Sequence, residues 1–62
     1  MKTVFVYYKG KSTVDSNEFG GVGSVNIDGP FLVLVQITTK ERVTTNIPVD
    51  SLRGFQVIEA IG

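Results

Sequence analysis

The chain contains no cysteine and no histidine. Those two absences remove disulfides, thiolate nucleophiles, the usual zinc ligands and the imidazole that most often activates a serine. An excess of charge is missing too: six Lys and Arg balance six Asp and Glu, for a formal net charge of zero. No global field therefore draws in a phosphate backbone or an anionic membrane. Long apolar runs are also lacking. The run FLVLVQI, from Phe31 to Ile37, is strand length, well short of the roughly 18 residues that suggest a membrane span. The opening segment MKTVFVYY is too short for the apolar region of a secretory signal, so it is expected to be a strand in a cytoplasmic protein.

With 62 residues, one domain spanning 1–62 is expected. A domain this small removes only roughly 60% of its unfolded surface from water. Small folds gain extra support from disulfides, structural metals or association. Here composition leaves association.

What is present reads as strands. Thr3 to Tyr8 is rich in β-branched and aromatic residues, with Val4, Val6 and Tyr8 on one face and Phe5 and Tyr7 on the other, so both faces are apolar. Gly10 to Gly23 mixes Gly, Ser, Asn and Asp around Val14, Phe19 and Val22, and is expected to be a long loop or hairpin with a short strand around Ser12 to Asp15. Val22 to Asp28 alternates, and Asp28-Gly29-Pro30 is a turn signal, because Asp bonds the following backbone, Gly allows positive φ and Pro cannot continue a central ladder. Phe31 to Thr39 is the expected central strand, followed by a tight turn at Lys40-Glu41 and a strand from Arg42 to Pro48. Asp50 to Gly54 is expected to form one 3₁₀ turn capped by Asp50 and closed by a left-handed Gly54, before a last, bulge-prone strand from Phe55 to Ile61. The expected fold is all-β: five antiparallel strands in a strongly bent small barrel or roll. Its core is expected from alternate residues Val33, Val35, Ile37, Val43, Ile47, Phe55 and Val57.

The stretch VTTNIPVDSLRGFQVI, Val43 to Ile58, resembles the strand, short turn and closing strand of SH3-like and Sm-like small β-barrels. It is also similar to the endings of many small bacterial and phage-encoded proteins. The resemblance implies an SH3-like fold and stops there. The aromatic-rich ALYDY-like segment of peptide-binding SH3 domains is absent, and Arg53-Gly54 matches only two letters of the Sm RNA-binding signature and precedes the last strand.

No catalytic, metal-binding or cofactor-binding constellation stands out. Asp15 and Glu18 share a loop without a feature that would make one of them an acid and the other a base. No DxDxDG pattern offers a Ca²⁺ loop, and Gly20, Gly21 and Gly23 fit neither GxGxxG nor GxxxxGK[ST]. Two binding readings remain. Two-faced strands in so short a chain carry more apolar side chain than one core hides, which points to a homo-oligomer formed through Phe5, Tyr7, Leu32 and Leu34. The alternative is a nucleic-acid surface built from Tyr7, Tyr8, Lys9, Lys11, Lys40, Arg42 and Arg53, aromatic and basic groups that could stack bases and hold phosphates. The function expected is therefore a non-enzymatic module acting through protein–protein contacts, with itself and another protein as partners.

Overall fold

The computed structural model describes residues 1–10 and 16–61. Five strands, β1 (Lys2–Tyr8), β2 (Ser16–Asp28), β3 (Phe31–Ile37), β4 (Arg42–Pro48) and β5 (Leu52–Glu59), form one antiparallel sheet in the order β4-β3-β2-β1-β5. A three-residue 3₁₀ turn, Val49–Ser51, precedes β5. The all-β expectation holds. Because the sheet does not return onto itself, β4 and β5 remain edge strands, and the molecule is a bent open sheet rather than a closed barrel.

The bend comes from the glycine-rich segment. Expected as part of a long hairpin or loop, 16–23 forms the first half of a thirteen-residue strand that pairs with β1. Pairing with β1 slips between Val4↔Phe19 and Lys2↔Val22, and pairing with β3 slips between Val22↔Gln36 and Ser24↔Val35. Each slip is a bulge, which bends a strand and increases its twist. Gly21 lies within the first of them at φ 63, a conformation that costs a residue with a Cβ about 1–2 kcal/mol. The glycines thus mark a corner in a strand. The short strand expected around Ser12 to Asp15 lies outside the described residues.

Turn chemistry differs from expectation in two places. The β3–β4 connection is longer than Lys40-Glu41: Thr38 N donates to Glu41 O at 2.9 Å, while Thr38 Oγ1 accepts from the backbone N–H of Lys40 at 3.2 Å and of Glu41 at 3.0 Å. Before β5, Pro48 rather than Asp50 occupies the N-cap position, without a side-chain cap bond, and Ser51 Oγ donates to Pro48 O at 2.7 Å. Gly54 is not left-handed; positive φ among the described residues is confined to Gly10, Gly21 and Gly29. Gly29, at φ 58, makes the β2–β3 turn as its sequence suggests. Gly29→Ala should lower unfolding free energy by about 1–2 kcal/mol in a urea titration, since no contact offsets the strain at this open position.

Directly opposed residues in an antiparallel ladder share a face, so the register assigns both faces of the sheet. One face carries Val4 and Val6 of β1, Val22 and Val25 of β2, Leu32 and Leu34 of β3, Ile47 of β4 and Phe55 and Val57 of β5. Its centre is the core: Val4, Val6, Val22, Leu32, Leu34, Ile47 and Leu52 are buried, with Tyr8, Phe19, Val25 and Val49 packed against them. The expected core therefore needs correction. Ile47 belongs to it, but Val33, Val35 and Ile37 point to the opposite face, and Val43, Phe55 and Val57 are on the core face but exposed near its rim.

Candidate functional site

The association residues read from the sequence separate into two pairs. Phe5 and Tyr7 lie on the outer face of β1, half-buried, opposite Gln56 and Gly54 of β5. Tyr7 Oη donates to Gln56 Oε1 at 3.5 Å. Leu32 and Leu34 are fully buried on the core face, at 0% exposure, so they cannot form a contact surface in the folded chain. The physical reason is the phase of β3, whose two faces are both apolar. Leu32 opposes Ile27 and Ile47, and Leu34 opposes Val25, which puts the leucines in one buried cluster with Val4 and Val6 while Phe31, Val33, Val35 and Ile37 face away.

The structure instead exposes apolar groups along β5. Phe55 and Val57 on the core face are each 41% exposed, and Ile58 on the outer face is 47% exposed. Because β5 is an edge, nothing in the sheet covers the side of the strand away from β1. An edge that natural proteins protect usually carries a central charge, a proline or a bulge. The other edge, β4, carries Arg42 at one end and Pro48 at the other, with Val43, 40% exposed, and the polar Thr44, Thr45 and Asn46 between them. Between Arg53 and Glu59, β5 reads Gly54-Phe55-Gln56-Val57-Ile58, and its one irregularity falls at Arg53. The sequence signal was the two-faced apolarity of Phe55 to Ile58; which strand would end as an edge has no local signature.

Beside this edge lies a cleft of about 500 Å³ lined by Lys2, Gly23, Ser24, Val25, Asn26, Ile27, Leu32, Phe55 and Val57. Its lining is mainly apolar, and among the described residues Lys2 supplies its only ionisable group, with Nζ 3.7 Å from Glu59 Oε2. A single lysine without a paired acid inside the cleft can orient an anionic group but gives no acid–base pair for catalysis. Among the described residues no group of three or more Asp or Glu side chains could hold a metal ion.

The basic and aromatic residues do not converge on one track. Arg53 Cζ stands 5.9 Å from the Tyr7 ring centroid, a cation–π contact. Lys9 is brought near them by its backbone N–H, which donates to Ser51 O at 3.0 Å. Tyr8 faces the core and its Oη accepts from Asn17 Nδ2 at 3.2 Å. Lys40 and Arg42 are elsewhere. Val49 N donates to Pro30 O at 2.8 Å, so the 3₁₀ turn adjoins the β2–β3 turn. From Phe31↔Pro48 to Ile37↔Arg42 the hairpin extends six residue steps, roughly 20 Å at about 3.3 Å each. Lys11 lies outside the described residues. No helix among the described residues is long and apolar enough to cross a membrane.

No protein-family model, curated protein or solved structure matches this chain.

Proposed function

We propose that the chain is a non-enzymatic cytoplasmic binding module that works through protein–protein contacts and assembles with copies of itself. The observation that carries this reading is the open end of the sheet at β5, where Phe55, Val57 and Ile58 are exposed on a strand without a central charge or proline. Unsatisfied strand groups and apolar side chains at one place favour addition of another strand. An SH3-like architecture, in which a bent sheet presents its edges, is consistent with such a role.

The nucleic-acid reading keeps one favourable observation, the Arg53–Tyr7 contact with Lys9 nearby. The separation of that group from Lys40 and Arg42 weighs against it. Light scattering on the eluting protein, at about 50 mM and about 500 mM salt and with a mixture of oligonucleotides, distinguishes the two. Self-association through apolar contacts should persist at the higher salt, whereas phosphate binding falls steeply with salt as counterions are released. A species that is monomeric at every protein concentration, yet shifts the oligonucleotides at low salt, would replace this proposal with the second reading.

A further inference from the structure

We infer that the cleft beside β2 takes the last residues of a partner polypeptide, added as a strand antiparallel to β2 along Ser24 to Asp28 with its terminal carboxylate at Lys2. The inference rests on the binding-module reading above, and it names a partner class for that reading apart from self-association.

The site follows from where β1 stops. β1 pairs with β2 from Tyr7↔Ser16 to Lys2↔Val22, and β3 pairs with it from Val22 to Asp28. Among the described residues, the β1 side of Ser24 to Asp28 therefore has no ladder partner. An unpaired row of strand N–H and C=O groups is a template on which an extended peptide adds. The same run, Gly23 to Ile27, lines the cleft of about 500 Å³. Successive strand side chains point to opposite faces, so five residues in a row line one cleft only through their shared backbone edge. Phe55 and Val57 of β5 and Leu32 of β3 supply the facing apolar wall. On the other side of β2, where Ser16 to Gly20 runs past the end of β3, Gln36 Nε2 already donates to Gly20 O at 2.8 Å.

Charge decides the direction and the end of the added strand. An antiparallel strand runs from Asp28 towards Val22, where Lys2 takes over the pairing with β2 and blocks its way. The added chain must stop beside Lys2, and a chain that stops carries a carboxylate. A parallel strand would bring an ammonium there instead, like charge against like. Lys2 can make this contact: its Nζ is 3.7 Å from Glu59 Oε2, beyond the roughly 2.7–2.9 Å of a charge-assisted hydrogen bond, and an ammonium group has several donors to share. At the far end Asp28 is exposed, which suits a basic residue opposite it. Directly opposed residues share a face. Positions opposite Ile27 and Val25 therefore meet the apolar wall, while those opposite Asn26 and Ser24 face outward. The partner ends basic, apolar, polar, apolar, polar, then carboxylate.

Fluorescence anisotropy with the peptide KVTVT, labelled on a spacer ahead of its lysine, tests the site. The free acid should bind about tenfold or more tightly than the C-terminal amide. Lys2→Gln should remove that difference and leave the circular dichroism unchanged, since a loose surface ion pair adds little stability. Asp28→Lys should come to prefer EVTVT over KVTVT. Of two peptides N-methylated at successive central residues, one should lose binding and the other keep it, because only alternate N–H groups face β2. Equal binding of acid and amide, an unchanged preference in folded Asp28→Lys, equal tolerance of the two methylations, or displacement by octanoate as readily as by unlabelled peptide would overturn the site. If no peptide binds at millimolar concentration while light scattering shows the parent associated, this site falls and the binding-module reading stands. If the parent is also monomeric, both fall.

Discussion

Leu34→Lys should leave no folded protein at 25 °C. Leu34 is fully buried between Val25 and Thr45 on the core face. Its replacement removes a packed side chain, worth about 2–5 kcal/mol on truncation alone, and adds an ammonium group without a partner, at several kcal/mol more. Marginal stability of about 0.05–0.15 kcal/mol per residue gives a 62-residue chain roughly 3–9 kcal/mol in all. The sum of the two losses meets or exceeds that total. Circular dichroism should show the β signal replaced by that of an unfolded chain. Phe55→Ala should cost far less, about 1 kcal/mol, since 41% of the residue remains in water. If Leu34→Lys melts like the parent, the buried face of β3 is the other one, with Val33 and Val35 inside.

Val57→Lys should produce a folded monomer. Val57 is on the core face of the free edge, 41% exposed, and a lysine there can lay its methylene stem on the cleft wall while its ammonium reaches water. Folding should change little. A lysine carried by each copy onto a paired edge would bring like charges into one ladder, the device by which natural sheets prevent edge pairing. Light scattering should therefore report a single-chain mass at concentrations where the parent is associated. A variant that keeps the parent's mass would move the contact away from β5.

The strand count and the single 3₁₀ turn were legible because β-branched runs, Asp28-Gly29-Pro30 and the Pro48-to-Gly54 segment carry local chemistry that survives folding. The choice of buried face on β3 was not legible. Phe31, Val33, Val35 and Ile37 form as apolar a set as Leu32 and Leu34, and which set is inside depends on how β2 registers against both its neighbours. Bulges on β2 at its glycine-rich corner shift that register, and a one-residue shift exchanges the faces of a strand. Phe5 and Tyr7 were placed on the surface-bearing side of β1, but Leu32 and Leu34 were not available beside them. The free edge at β5 is a property of strand order. Nothing near Phe55 encodes it.

The pairing of β1 with β5 also governs the order of folding. Lys2 lies opposite Glu59 and Val6 opposite Phe55, so this ladder joins segments at far ends of the described chain. The β2–β3 and β3–β4 ladders close short loops and can form as hairpins on a microsecond scale. Closing the long loop requires a much larger loss of chain entropy before any contact compensates it. Docking of β5 on β1 should thus be the late, rate-limiting event, and until it happens β1 is itself an unprotected sheet edge. Substitutions confined to that ladder should therefore slow folding as well as speed unfolding. In a crowded solution the window before docking is when one chain is most vulnerable to taking the last strand of another, an exchange of segments that would yield entangled assemblies.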